Sequence, residues 1–146
     1  MILYLDTSAL VKLYVREAGS DLVRAVADNS AVITTSKVAY AEARAALARG
    51  NRDGALHEKD YHLAVNAFNR DWDRYLAVEV SDFLIRLAGD LAEKYRLRGF
   101  DAIHLASILT VKRQVNEPLV VACWDVRLWE AVQTCALDTV PQARPR

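Results

Sequence analysis

Residues 2–10 read ILYLDTSAL, and the predicted fold is organised around this stretch. The apolar run Ile2–Leu5 is typical of a buried strand, and it ends at Asp6. Apolar residues then recur at helical spacing, so Asp6 stands between a strand and a helix. Ligands of open α/β sheets bind just outside such strand ends. Taken alone, however, an aspartate in this position is more often a helix cap.

The composition indicates one globular domain. The chain has 146 residues, of which 53% are hydrophobic and 26% are charged, which suffices for a proper core. We assign residues 1–140 to a single α/β domain and residues 141–146 to a flexible C-terminal tail. The 19 basic and 19 acidic residues balance, so the net charge gives no general signal for binding a polyanion.

Signals for secretion and membrane insertion are not seen in the sequence. The first apolar run has no basic segment before it and is interrupted by Asp6. No uncharged apolar stretch approaches the ~18 residues of a membrane span. Cys123 and Cys135 form no CxxC motif or Cys/His cluster, and we interpret them as free thiols in a reducing compartment. We therefore expect a cytoplasmic protein without a membrane segment.

Strand-like and helix-like segments alternate along the chain. Five segments are predicted as strands: Ile2–Leu5, Ala31–Thr35, Leu76–Val80, Leu119–Ala122 and Leu137–Val140. Beyond the helix after Asp6, the predicted helices span residues 21–28, 36–49, 55–74, 81–95 and 101–116, with a short one after Asp125. This alternation favours a three-layer α/β/α sandwich with a mainly parallel sheet of four to five strands.

Acidic residues stand at comparable positions far apart in the sequence. Asp6 and Asp125 follow strands and precede helices, whereas Asp101 opens a helix. Each alone is more often a cap than a ligand. Glu42 lies in the middle of a helix and cannot be a cap, so its ordinary alternative is a surface ion pair with a neighbour such as Arg49. Because parallel strands end at one edge of a sheet, these acids are candidates for a common site.

Gathering carboxylates requires a cation. Two of them ~4 Å apart repel by about 4 kcal/mol at an effective dielectric constant of 20. Oxygen ligands without supporting His or Cys favour Mg²⁺, with Mn²⁺ as the alternative. Without the four acids the chain would have four more basic than acidic residues. Basic residues that would then hold phosphates, or remain ordinary surface charges, are Lys12, Arg16, Arg96 and Arg98.

The sequence resembles the PIN-domain nucleases, and especially the VapC-type ribonuclease toxins of toxin–antitoxin pairs. The resemblance covers nearly the whole domain, and the combination of DTSALVKLY with a distant DAIHLA is specific. The matching stretches are LYLDTSALVKLYVREAGSD at 3–21, AYAEARAAL around Glu42, GFDAIHLASIL at 99–109 and WDVRL at 124–128.

The resemblance implies an acidic quartet that is both catalytic and metal-binding: Asp6, Glu42, Asp101 and Asp125. Of these, Asp6 and Asp101 would be the most direct metal ligands, and Ser8 would orient Asp6 or the substrate. The family often has Thr or Ser where this chain has Cys123, and a thiol replaces a hydroxyl poorly. The role of Asp125 is therefore less clearly implied. We interpret His104 as a histidine packed within its helix.

The family further implies Mg²⁺- or Mn²⁺-dependent endonucleolytic cleavage of single-stranded or loop RNA by metal-activated water. It also implies a homodimer and inhibition by a cognate antitoxin protein. Two other classes fit less well. An aspartyl phosphatase needs a second acid where Ser8 stands, and a phospho-receiver domain needs an aspartate at the end of the third strand. A non-catalytic RNA- or protein-binding module of the same fold remains the main alternative.

Overall fold

Five strands and seven helices alternate in the computed structural model, which describes all 146 residues. The strands are β1 (Ile2–Leu5), β2 (Val32–Ser36), β3 (Leu76–Val78), β4 (Leu119–Ala122) and β5 (Asp138–Val140). The helices are α1 (Thr7–Val11), α2 (Ser20–Asp28), α3 (Val38–Arg52), α4 (Glu58–Trp72), α5 (Asp82–Tyr95), α6 (Gly99–Gln114) and α7 (Val126–Thr134). None of these helices has the length and apolar character needed to cross a membrane.

The strands form one parallel sheet in the order β3-β2-β1-β4-β5. In the centre of the sheet, Leu3 of β1 lies opposite Ile33 on one side and Val120 on the other. The chain builds outward from β1 in both directions, so the strand order reverses between β1 and β4. Such a reversal opens a crevice at the carboxyl ends of the strands. The predicted α/β sandwich is confirmed, with all five strands parallel.

Helices cover both faces of the sheet, because successive side chains of a strand point to opposite faces. Ile2 and Tyr4 belong to a buried cluster with residues of α5, α6 and α7. Leu3 and Leu5 belong to a second cluster with residues of α1, α2, α3 and α4. The short apolar run that begins the chain is therefore buried on both sides, as in the interior of a doubly covered parallel sheet.

Helix α2 begins at Ser20, one residue before the predicted start at residue 21. The cap position is Gly19, which has a φ of 92° in the left-handed region that favours glycine. A Cβ atom added to Gly19 would lie 2.8 Å from the ring of Trp124. Ser20 instead accepts a hydrogen bond from the amide of Glu17 and donates one to the carbonyl of Val15. Its hydroxyl closes the preceding turn instead of capping the helix.

Residues beyond β5 contact α7. The indole of Trp129 donates a hydrogen bond to the carbonyl of Pro141 at 2.9 Å. Arg144 forms an ion pair with Glu130 at 2.8 Å between side chains that are both largely exposed. Exposed pairs of this kind contribute little to stability. The flexibility of residues 141–146 stays a prediction.

Candidate active site

Four acidic residues from four helices lie at the carboxyl edge of the sheet. Asp6 follows β1 and caps α1, and Asp125 lies shortly after β4 and caps α7. Asp101 lies in the first turn of α6, and Glu42 lies in the second turn of α3. Because β1 and β4 are neighbours and the strand order reverses between them, the segments that follow these two strands lie side by side at this edge. The structure therefore places all four predicted acids at the crevice that the fold opens.

Asp6 is held almost completely inside the protein, with 3% of its surface exposed. Its Oδ1 accepts hydrogen bonds from the amide of Ala9 at 2.8 Å and the hydroxyl of Ser8 at 2.7 Å. Burial raises the pKa of Asp6, although the nearby His104 and the hydrogen bonds from Ser8, Ala9 and Cys123 act in the opposite direction. Ionisation of this carboxylate is therefore opposed by its burial and favoured by its hydrogen bonds.

Ser8 connects the two central strand ends. Its hydroxyl lies 2.7 and 2.8 Å from the two carboxylate oxygens of Asp6, and it accepts a hydrogen bond from the amide of Trp124 at 2.9 Å. Since Trp124 lies just beyond β4, this single side chain joins the segments that follow β1 and β4. The position agrees with the predicted orienting residue, and the role itself stays a prediction.

Cys123 supplies a further donor to Asp6. Its thiol is fully buried and lies 3.2 Å from Oδ2 of Asp6, and 3.4 Å from the backbone carbonyl of Asp125. Burial and the adjacent carboxylate of Asp6 raise the pKa of the Cys123 thiol, which keeps its proton available for donation. The thiol thus takes up a hydroxyl-like position beside Asp6, and it does not touch the side chain of Asp125.

Two side chains form hydrogen bonds with the Oε1 atom of Glu42. Thr7 donates its hydroxyl hydrogen at 2.7 Å, and Nε2 of His104 lies 3.0 Å away. Burial acts to raise the pKa of Glu42, but the hydrogen bonds from His104 and Thr7 together outweigh it and lower the pKa. The surface pair with Arg49 does not form. Glu42 is therefore an ionised carboxylate at the site instead of a surface charge.

His104 joins the site more closely than the sequence indicated. It is 2% exposed, and its Nδ1 lies 2.8 Å from the hydroxyl of Tyr4. Its Nε2 lies near both Thr7 and Glu42. Sequence reasoning treated His104 as a packed residue and did not link it to Tyr4. The available signal was its spacing of three residues from Asp101, which places both on one side of α6.

Asp101 and Asp125 share one arginine. Nε of Arg98 lies 3.1 Å from Asp101, and Nη2 of Arg98 lies 3.0 Å from Asp125. Burial and the charge of Asp125 raise the pKa of Asp101 against the opposing effect of Arg98. Arg98 is 71% exposed, whereas the two aspartates are mostly buried. Of the four basic residues proposed for phosphates, Arg98 is the one that contacts the acids.

The donor set fits a hard divalent cation. In this structure no group of three or more His, Cys, Asp or Glu side chains is arranged to hold a metal ion. Instead the guanidinium of Arg98 supplies the positive charge between Asp101 and Asp125. Carboxylate oxygens suit Mg²⁺ and Mn²⁺ better than zinc. Because Arg98 is exposed, it can leave this position without disturbing the core, and a metal ion would then meet the same need for charge.

A cavity of about 500 Å³ opens beside these groups. Its lining includes Glu42, Arg98, Phe100 and Asp101. A larger cavity of about 600 Å³ includes Met1, Asn29 and Asp138 in its lining and contains none of the four acids. The smaller cavity is the better substrate site, because chemistry depends on the groups that line a cavity more than on its size.

The α/β fold, with acidic residues at the point where the strand order reverses, agrees with the family that the sequence comparison identifies. Residues 3–117 match the PIN domain, and the chain belongs to the PIN-domain family. It is 39% identical over 145 residues to Ribonuclease VapC45 and to Ribonuclease VapC49, both of Mycobacterium tuberculosis. Each comparison covers 96% of this chain and 95% of the relative.

Solved structures share the fold at lower identity. FitAcB from Neisseria gonorrhoeae is similar with a TM-score of 0.65 and 17% identity, covering 95% of this chain and 96% of that chain. VapBC2 from Rickettsia felis, solved with a DNA fragment from its promoter, is similar with a TM-score of 0.62 and 13% identity. That comparison covers 95% of this chain and 97% of the other. At these identities the similarity establishes the fold alone.

Proposed function

We propose that the protein is a metal-dependent endoribonuclease and the toxin of a toxin–antitoxin pair. The observation that carries the proposal is the set of four acids at the carboxyl edge: Asp6, Glu42, Asp101 and Asp125. The 39% identity to two proteins named as VapC ribonucleases supports the ribonuclease activity over other phosphodiester chemistry. A cognate antitoxin and a homodimer are proposed on the same similarity.

The four acids would hold Mg²⁺ or Mn²⁺, with Asp6 and Asp101 as the most direct ligands. The ion would lower the pKa of a water molecule and neutralise charge on the phosphate. Around it, Ser8 and the amide of Ala9 hold the carboxylate of Asp6, while Thr7 and His104 hold that of Glu42. These contacts exist before any ligand arrives, so the protein orients its acids in advance.

Arg98 would change partners during substrate binding. In this structure it balances the charges of Asp101 and Asp125. A cation at the acids would free its guanidinium, which is suited to bind a phosphate with two parallel hydrogen bonds. Because the side chain is exposed and borders the cavity, it can reach a backbone phosphate without refolding. The acids would then hold the metal while Arg98 holds the RNA.

Water is the proposed nucleophile, in place of the ribose 2′-hydroxyl. Attack by a 2′-hydroxyl needs an accessible base and acid, for which histidine is the usual residue. The histidine of this site, His104, is buried and occupied on both ring nitrogens, by Tyr4 on one side and by Glu42 and Thr7 on the other. RNA with a 2′-deoxy group at the cleaved position should therefore still be cut.

The test compares cleavage of an RNA panel by wild type and by Asp101→Asn, with Mg²⁺, with Mn²⁺ and with chelator. The matched control is Asp82→Asn, because Asp82 is also an aspartate in the first turn of a helix but pairs with Arg86 elsewhere. We expect cleavage by wild type and Asp82→Asn only with metal, and none by Asp101→Asn. Equal cleavage in every arm would overturn the metal mechanism.

A non-catalytic binding module is the second candidate. It would bind RNA or a partner protein with the same fold and would cleave nothing in any arm of that experiment. The buried carboxylate of Asp6 argues for the enzyme, because a buried charge without a cation destabilises a fold. Binding of the RNA panel without cleavage, by wild type in Mn²⁺, would establish the module instead.

A further inference from the structure

We infer that His104, anchored by Tyr4, is a positioning residue that fixes Glu42 for cation binding. The inference rests on the proposed function, because it assigns a role within the proposed metal site. Two contacts carry it: Nδ1 of His104 lies 2.8 Å from the Tyr4 hydroxyl, and Nε2 lies 3.0 Å from Oε1 of Glu42. Hydrogen-bonded partners of this kind orient carboxylates that bind metals.

The hydrogen atoms of this network can be assigned from chemistry. The carboxylate of Glu42 has no hydrogen to give, so Nε2 of His104 must carry the one between them. Nδ1 lies 2.8 Å from the hydroxyl of Tyr4, whose pKa is raised well above its usual value by burial. The hydroxyl of Thr7 donates to Glu42 as well. Thr7 and His104 thus both donate to Oε1, so the network favours one orientation of Glu42.

The anchor of the network lies in the centre of the sheet. Tyr4 is fully buried on β1, the central strand of the sheet. Its ring packs edge-on against His104, with the centroids 6.0 Å apart and the planes at 85°. His104 belongs to α6 on one face of the sheet, and Glu42 belongs to α3 on the other. The network thus joins the two helix layers across the end of β1.

The network occupies one oxygen of Glu42 and leaves the other for a ligand. Oε1 accepts from Thr7 and from His104, while Oε2 forms no hydrogen bond. The side chain is 26% exposed and borders the cavity that also contains Asp101. A flexible glutamate that is already fixed on folding loses no further conformational entropy when a cation binds. His104 therefore presents a preformed ligand atom at the edge of the cavity.

The experiment measures Mn²⁺ affinity by calorimetry, without RNA, for wild type and four variants. His104→Ala removes both contacts, and His104→Gln retains a donor near the position of Nε2. Tyr4→Phe removes only the anchoring hydroxyl. The control is His62→Ala, because His62 is an exposed histidine on α4 whose Nε2 lies 3.6 Å from Oε1 of Glu58, outside the acidic site. Unfolding curves for each variant separate loss of binding from loss of fold.

We expect His104→Ala to weaken Mn²⁺ binding by roughly 10- to 100-fold, the usual effect of removing a residue that orients a metal ligand. His104→Gln should recover most of that loss, Tyr4→Phe should show an intermediate loss, and His62→Ala should match wild type. RNA cleavage by His104→Ala should return at saturating Mn²⁺ with an unchanged KM for RNA. A residue needed only for packing would show no rescue by glutamine.

Wild-type affinity in a folded His104→Ala protein would overturn the inference while the proposed function stands. If His104→Ala does not fold, Tyr4→Phe decides, since Phe fills the same space, and wild-type affinity in that variant overturns the inference. A wild-type protein that binds no Mn²⁺ and cleaves no RNA would overturn the proposed function itself, and this inference with it.

Discussion

The two halves of the acidic site are stabilised by different means. Asp6 and Glu42 accept hydrogen bonds from groups that belong to the core or to helix starts. Asp101 and Asp125 are instead balanced by one guanidinium, that of the exposed Arg98. The first half is therefore built into the fold, whereas the second half depends on a side chain that can move.

This difference separates two requirements of a metal site. A binding site needs ligands in fixed positions, which buried hydrogen bonds provide. It also needs its repulsion relieved while the metal is away, since neighbouring carboxylates at ~4 Å repel by about 4 kcal/mol at an effective dielectric constant of 20. An exposed arginine can relieve that repulsion and still leave when a cation or a phosphate arrives, as we propose for Arg98.

The largest effect is expected from substitution of Asp6, in the half of the site that is built into the fold. Asp6→Asn should lower RNA cleavage by about 100-fold or more, because a metal at the reacting phosphate contributes several kcal/mol. The free energy of unfolding at pH 7 should fall by no more than about 1 kcal/mol, since Asn caps a helix as well as Asp. Cleavage assays in Mn²⁺ and urea unfolding test both values. A stable variant that retains wild-type cleavage would remove Asp6 from the site.

Substitution of Arg98, in the half of the site that depends on a movable side chain, should have a smaller effect. It should strengthen metal binding instead of weakening function. Arg98→Ala should tighten Mn²⁺ binding about fivefold, because an exposed ion pair that competes with the metal contributes up to about 1 kcal/mol. KM for RNA should rise if Arg98 also binds phosphate. Calorimetric titration with Mn²⁺ measures the affinity, and Arg86→Ala, which removes a similar exposed pair with Asp82, is the control. Weaker Mn²⁺ binding by Arg98→Ala would show that Arg98 supports the site instead.

Glu42 and Asp101, one from each half of the site, should also differ in their response to pH. The pKa of Asp101 is raised, so its contribution to stability is present at low pH and is lost as pH rises through that pKa. The pKa of Glu42 is lowered, so its contribution is present above the usual value and is lost as pH falls. In chelator, Asp101→Asn should reduce the loss of stability above about pH 4. Glu42→Gln should reduce the loss below it.

Urea unfolding between pH 3 and pH 8 measures this contrast. The matched control is Asp82→Asn, whose aspartate occupies the first turn of α5 and is exposed. Identical pH profiles for Asp101→Asn and Glu42→Gln would contradict the opposite pKa shifts of these two carboxylates. Addition of Mn²⁺ at pH 7 should stabilise wild type, because a ligand that binds the folded state alone shifts the equilibrium towards it.

The smallest effect should come from Cys123, which adds a weak donor to the built-in half. Cys123→Ser replaces a thiol by a stronger hydrogen-bond donor beside Asp6. A better donor favours the ionised carboxylate, so Mn²⁺ should bind about twofold more tightly. Calorimetry measures the change, and Cys135→Ser, at the opposite end of α7 from Asp125, should leave it unaltered. Clearly weaker binding would mean that the buried thiol is needed for packing around Asp6.

Most of the fold could be predicted from the sequence because its signals are local. The bounds of β1 and β4 match the predicted strands, and α5 ends at Tyr95 as predicted. Errors occur at helix ends, where α6 begins at Gly99 and α4 at Glu58. Ends depend on a few weak capping contacts, and tertiary packing often shifts them.

The positions of the acids could be predicted in part from local patterns. Strand ends of a parallel sheet share one edge, so Asp6 and Asp125 were predicted to lie near each other if their strands were neighbours, and β1 and β4 are neighbours in the sheet. The contacts around these acids are seen in the tertiary structure alone. His104 forms hydrogen bonds with Tyr4 and Glu42, and Arg98 forms ion pairs with both Asp101 and Asp125. Those contacts join side chains up to 100 residues apart. They depend on how helices from both faces pack at the sheet edge, which no local pattern in the chain encodes.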